Sequence, residues 1–151
     1  MSTLNIQKAT PMTPLLQPSP WLRGASVLAV LFGLMTLKEG GPVLFGGEAA
    51  RTAAGAYVPF VLWFNFLAGF AYVVAGIALW RRQGWAAGLA LGIALATALV
   101  FAAFGVYVMN GGAFEVRTVA AMALRTAVWL GIATLALRLR PGRSVRREAT
   151  P

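Results

Sequence analysis

The sequence predicts an all-α membrane protein, an antiparallel bundle of four transmembrane helices with both termini in the cytoplasm. Three observations predict it. Hydrophobic residues make up 59% of the 151 residues and charged residues only 11%, whereas a soluble domain sits near half apolar and a quarter charged. Four apolar runs are each long enough, as helices, to cross or nearly cross a hydrocarbon core of about 30 Å. The basic residues gather on one side of those runs, as cytoplasmic segments do.

Each element follows in order. Residues 1–20 are polar and carry Pro11, Pro14, Pro18 and Pro20; closely spaced prolines remove backbone donors, so a disordered cytoplasmic tail is expected there. The transmembrane domain is expected over 21–140. Its first span, about 21–37, has the length of a signal peptide's apolar core as well. The residues that follow it, Lys38-Glu39-Gly40-Gly41-Pro42, do not form a small-x-small cleavage site, so an uncleaved span is the expectation. Gly40, Gly41, Pro42, Gly46 and Gly47 then read as a loop, followed by an alanine-rich stretch, Glu48–Ala56, able to form a short interfacial helix. The second span is expected over 57–80, with Pro59 in its first turn, where a missing N–H costs little. Arg81-Arg82-Gln83-Gly84 is a tight turn. The third span is expected over 85–109 and the fourth over 116–137, separated by Asn110-Gly111-Gly112. A basic cytoplasmic tail, 141–151, completes the chain. Lipid demands that backbone polar groups be satisfied within each element, and four helices meet that demand where four strands could not close a barrel.

Charge sets the orientation. Lys8, Arg23, Arg81, Arg82, Arg138, Arg140, Arg143, Arg146 and Arg147 fall on the side of the termini, against Lys38, Arg51 and Arg117 on the other. Glu39, Glu48 and Glu115 fall on that other side. Trp21, Trp80 and Trp85 mark one boundary, Tyr57 and Tyr107 the opposite one, in the manner of interfacial aromatic belts. The net charge of +9 is thereby explained by topology and by anionic lipid at the C-terminal tail, with no nucleic-acid partner expected. The Ala- and Arg-rich, Lys-poor composition fits a bacterial inner membrane in an organism with a GC-rich genome.

Composition also excludes chemistry. There is no Cys and no His, and all four acidic residues are glutamates: Glu39, Glu48, Glu115 and Glu148. Disulfides, zinc sites, iron–sulfur clusters and the usual haem ligands lack their donors, and no Ser-His-Asp or Cys-His set can be built. No catalytic residue, cofactor or metal is therefore expected. Met35, Met109 and Met122 sit toward one end of the spans; thioethers suit Cu(I), but methionine more commonly fills packing gaps.

Small residues indicate where helices meet. Gly84, Gly88, Gly92 and Ala96 recur at four-residue spacing on the third span, a stripe that lets another backbone approach; packing within the bundle is the first expectation and an oligomer contact the second. Ala25, Ala29 and Gly33 form a weaker stripe on the first span. On the second, Asn65, Gly69, Tyr72 and Gly76 share a face, which predicts that it looks inward.

Arg125 is the most informative residue. It lies eight positions past Arg117, about 12 Å along the helix, where a charge costs about 2.5–3.5 kcal/mol on insertion scales. Asn65 lies at similar depth on the second span, so the two are expected to face each other. Glu39 is the expected counter-ion. The candidate site is a polar pocket built from Arg125, Asn65, Glu39, Glu115 and Arg117, open to the non-cytoplasmic side; the competing reading is a buried ion pair that fixes helix register. Tyr72, Thr97 and Tyr107 could extend the pocket, although isolated hydroxyls in spans usually bond nearby backbone.

Two functions are expected from this reading. One is a non-catalytic accessory, scaffold or assembly component of a membrane complex, partnered by the lipid bilayer and by copies of itself or a larger assembly. The other is a small oligomeric transporter or channel with a polar pocket around Arg125.

Overall fold

The computed structural model describes residues 19–140. The expected tails lie largely outside these residues: 1–18 and 141–151 are not described. Five helices follow one another: α1 (Pro20–Phe45), α2 (Glu48–Ala54), α3 (Pro59–Trp80), α4 (Ala86–Met109) and α5 (Val116–Arg138). There is no strand among the described residues. α1, α3, α4 and α5 are each long and apolar enough to cross a membrane.

α1 corrects one expectation. It does not stop at residue 37 but continues through Gly40, Gly41 and Pro42 to Phe45. The helix persists there because it is packed. The two glycines lie against the Phe66 ring, where a Cβ on Gly40 would sit 3.5 Å from Phe66 Cδ2. Phe45 meets the rings of Trp63 and Phe66 at 6.0 and 5.4 Å. Pro42 deletes one helical donor, and these contacts offset that loss. The stop comes at Gly46, whose N–H donates to the Pro42 carbonyl at 2.7 Å.

Both tight turns between long helices use the same closure. After α3, the Arg82 N–H donates to the Leu79 carbonyl and the Gln83 N–H to the Ala78 carbonyl. After α4, the Gly111 N–H donates to Val108 and the Gly112 N–H to Tyr107. This pairing requires a left-handed residue just past the helix. Gly111 supplies it at φ 81°, but at the other turn an arginine does, Arg82 at φ 55°.

The molecule is built from two close helix pairs. α1 packs most extensively on α3 and α4 on α5, while α3–α4 contact is slighter and α1–α5 contact slightest. The α1/α3 contact depends on absent side chains. A Cβ on Gly33 would sit 2.7 Å from the Gly69 carbonyl oxygen, one on Gly69 2.9 Å from Leu37 Cγ, and one on Gly76 2.6 Å from Val30 Cγ2. Contacts thus match Ser26 and Val30 with Gly76, Gly33 with Gly69, and Gly40 with Phe66.

Large apolar side chains cover the outside of the bundle as well as filling its interior. The interior is rich in alanine, Ala29, Ala75, Ala90 and Ala94 among others, together with Leu22, Val61, Leu79, Ile93, Met122 and Ile132, the rings of Tyr72, Phe104 and Trp129, and a few polar groups, Ser26, Thr36, Thr97 and Arg125. Leu31 and Leu34 on α1, Leu67 and Phe70 on α3, Leu95 and Leu99 on α4, and Leu124 and Leu130 on α5 all face outward.

Candidate functional site

The seam between the two helix pairs holds the most polar part of the interior. Arg125, on α5, is 6% exposed. Its Nη2 donates to Thr36 Oγ1 on α1 at 3.3 Å and its Nη1 to the Met122 sulfur at 3.6 Å. Thr36 can accept because its own proton goes to the Phe32 carbonyl at 2.8 Å, which leaves its lone pairs facing the arginine. The guanidinium carbon lies 5.6 Å from the centre of the Phe32 ring, within cation–π reach.

A ring layer continues the site. Phe32 stacks on Tyr72 of α3 at 6.0 Å, and Tyr72 lies 4.7 Å from the Trp129 ring. Trp129 is one helical turn past Arg125, so the two share a face of α5. Tyr72 and Trp129 are fully buried, and neither the Tyr72 hydroxyl, the Trp129 Nε1 nor the Arg125 Nε has a hydrogen-bond partner. Thr97 of α4 is the polar neighbour of Tyr72; its proton goes to the Ile93 carbonyl at 2.8 Å, which leaves its oxygen lone pairs able to accept. Three buried polar groups, two on α5 and one on α3, are thus each without a hydrogen-bond partner. Buried polar groups are normally paired, and an unpaired one carries a desolvation cost of about 1–3 kcal/mol.

The structure distributes the five sequence-predicted pocket residues differently from expectation. Asn65 does not bond Arg125; it is half-buried, and its Oδ1 has no partner. Thr36 occupies the role foreseen for Asn65. Once α1 runs to Phe45, Thr36 lies nine residues from that helix end, as Arg125 lies nine past Val116, so the two meet at equal depth. Glu39 is exposed on α1, one turn past Thr36. Both side-chain partners of Arg125 are uncharged.

Glu115 and Arg117 do not line a pocket with Arg125; they bind the α2 loop. Glu115 Oε1 accepts from the Ala56 N–H at 3.0 Å. Arg117 Nη2 donates to the Ala53 carbonyl at 3.2 Å and also to the Ala54 carbonyl, so a cation meets the carbonyl end of α2. Gly55 between them has φ 70°, and any side chain there would collide with the Glu115 carboxylate. At the other side of α2, Arg51 donates to the Val43 and Leu44 carbonyls, each at 3.4 Å, closing the end of α1. α2 is thus a strap, fixed to α1 on one side and to α5 on the other.

The packing glycines divide. Gly69 and Gly76 lie in the α1/α3 contact, as does Gly33. The stripe on α4 does not pack inside the bundle. Gly92 has no protein atom within 4 Å of an added Cβ, and Gly88 meets only Arg140 Nη2; Arg140 also donates to the Gly84 carbonyl at 3.2 Å. The inward face of α4 is made of Ala86, Ala87, Ala90 and Ala94 instead. Alanine also permits close approach, and its spacing competes with that of the glycines. Met35 and Met109 are exposed at 60% and 87% whereas Met122 is fully buried, so the three methionines do not share one environment. No group of metal-ligating His, Cys, Asp or Glu occurs among the described residues.

Trp129, Phe32 and Thr36 were not foreseen in the site. The four-residue step from Arg125 to Trp129 is a readable signal for the first. The other two are hidden by the misplaced end of α1. No protein-family model matches the chain, and no curated protein or solved structure is significantly similar to it.

Proposed function

We propose that this chain is a multi-pass protein of a bacterial inner membrane, an antiparallel four-span bundle with cytoplasmic termini, serving as a non-catalytic component of a membrane complex. The apolar exterior supports a lipid solvent: large apolar side chains face outward on every long helix. The matching of Ser26 with Gly76, Gly33 with Gly69 and Gly40 with Phe66 supports opposed directions for α1 and α3.

The complex-forming role is carried by the outward face of α4. Gly88 and Gly92 lie open between Leu91, Leu95 and Leu99, of which Leu99 is 71% exposed. A glycine-lined helix surface lets another helix come close enough for extensive van der Waals contact, the main attraction available between helices in lipid. The chain has no cysteine, so single-cysteine crosslinking reads this face directly. In native membranes, cysteines at Gly92, Leu95 and Leu99 crosslink to a neighbouring subunit, and those at Leu124 and Leu130 on α5 do not. Equal crosslinking on both helices, or a protein monomeric and unpartnered in mild detergent, contradicts the role.

The seam favours a second reading, a small transporter or channel. A buried arginine without a carboxylate partner lies between two helix pairs that contact each other only lightly. Such residues commonly mark solute pathways. In proteoliposomes, solute flux lost in Arg125→Ala supports this reading; absence of flux for every tested ion and metabolite opposes it.

A further inference from the structure

We propose that the groove between α1 and α3 at the Trp80 end of the bundle binds one anionic phospholipid, with an acyl chain in the groove and the phosphate on Arg81. The inference rests on the membrane reading and is independent of both the complex-forming and the transport roles.

The groove follows from the way the two helices meet. Gly76 has no side chain, so Ser26 and Val30 of α1 come up against its backbone: a Cβ there would lie 2.8 Å from the Ser26 carbonyl oxygen and 2.6 Å from Val30 Cγ2. The larger side chains flanking this contact form two walls, Val27 and Leu31 on α1 and Ile77 and Trp80 on α3, each about half exposed. The space between them is about 270 Å³, close to the lower limit of roughly 300 Å³ for a small-molecule pocket. It has room for a stretch of one acyl chain and not for a whole lipid. Ser26, the one hydroxyl in the lining, gives its proton to the Leu22 carbonyl at 2.7 Å, so hydrocarbon can cover it without orphaning a donor.

Any outward groove in a bilayer is filled by lipid tails; what selects a head group is the charge at its mouth. Arg81 lines this groove and is exposed. Arg23 lies four residues before Val27, on the same strip of α1, and is exposed as well. Among the described residues neither has a carboxylate at its level: Glu39 is about 24 Å from Arg23 along α1, and Glu48 and Glu115 stand at the α2 end. A guanidinium pairs with phosphate oxygens through two parallel N–H donors. Trp80, beside Arg81, adds an indole of the kind that settles at head-group depth. A cationic mouth and an apolar groove in one cavity match the two ends of an anionic phospholipid. A zwitterionic lipid brings a cation that the arginines repel.

Full-length protein in non-ionic detergent is titrated with dioleoyl phosphatidylglycerol in mixed micelles, in parallel with dioleoyl phosphatidylcholine and with soluble glycerol phosphate, and thermal unfolding is followed. A ligand bound by the folded state alone raises the midpoint in a saturable way. Phosphatidylglycerol is expected to half-saturate at a concentration at least about threefold below phosphatidylcholine, and glycerol phosphate, which lacks the chain, to give no rise. Arg81→Gln is expected to raise the half-saturating phosphatidylglycerol concentration about tenfold, and Arg23→Gln to raise it less. Val27→Phe keeps both arginines but fills the groove, and a loss like that of Arg81→Gln is expected. Arg138→Gln, at the end of α5, should change nothing. Equal responses to the two lipids, a rise with glycerol phosphate alone, a response unchanged in Val27→Phe, or one that falls as far in Arg138→Gln as in Arg81→Gln each overturns the site. Should Arg81→Gln fail to fold, Val27→Phe and Arg23→Gln carry the test. Protein folded and monomeric in plain buffer overturns the membrane reading as well, whereas protein that needs detergent yet does not choose between the lipids overturns the site alone.

Discussion

Arg125 is held in the buried interior of the bundle by a threonine that has been prepared to accept. Thr36 gives its proton to Phe32 and turns its oxygen to the guanidinium. Thr36→Val keeps the shape and removes that oxygen, leaving a buried cationic donor unserved; it is expected to destabilise the folded protein by about 1–3 kcal/mol. The check is thermal or denaturant unfolding in detergent, with Thr134→Val as the control. Thr134 is exposed and bonds only the Leu130 carbonyl of its own helix, so its loss should change little. The sequence marks Arg125 through composition alone, because a charge in an apolar run is conspicuous. It does not mark Thr36, because a hydroxyl in a span is common and its value depends on what stands opposite. That in turn needed the true end of α1, which Gly40-Gly41-Pro42 conceals: breaker residues act locally, whereas Phe45 against Trp63 and Phe66 is a tertiary contact.

At the scale of elements, glycine means opposite things on different helices. Gly33, Gly69 and Gly76 are tight contacts and Gly92 is open. Gly33→Val should cost about 1–3 kcal/mol, since the nearest obstacle is the Gly69 backbone, which cannot swing aside. Gly92→Ala should leave the protomer as stable or raise it by up to about 1 kcal/mol through helix propensity. Unfolding midpoints of the two variants side by side decide between these assignments. Periodicity alone could not separate them, because four-residue spacing fits both the glycine and the alanine faces of α4. The turn after α3 carries a different conflict. Arg82 adopts a left-handed conformation that costs a residue with a Cβ about 1–2 kcal/mol, in a closure that uses glycine at Gly111. Arg82→Gly is expected to stabilise the folded state by about 0.5–1 kcal/mol, less than the full relief because glycine also gains freedom when unfolded. On the proposed topology, the arginine's worth lies in orientation. Reporter fusions at Gly47 and at the C-terminus should show more molecules inserted the wrong way when both Arg81 and Arg82 are replaced.

For the whole molecule, the count of the four long helices and the approximate limits of α3, α4 and α5 were legible because a continuous apolar run of that length has few alternatives; the end of α1 was not. Their partition into two tight pairs was not, because it depends on which small residues meet. The strap across the pairs was partly legible: an alanine-rich helix near residue 48 was expected, its attachment to Glu115 and Arg117 was not, since those bonds span about sixty residues of sequence. Arg117→Ala with Glu115→Ala should release the strap. Hydrogen exchange at amides 48–56 should then rise by about an order of magnitude while the long helices stay protected. The strap's anchors are charged or carbonyl groups at the rim, where water and salt compete for them, whereas the turn at the far end is covalent and short. The two halves of the molecule are consequently joined like a clasp purse, hinged at Arg82 and fastened by Arg117 and Glu115. Undoing the fastener parts the rim first, and the earliest charge uncovered from within is that of Arg125.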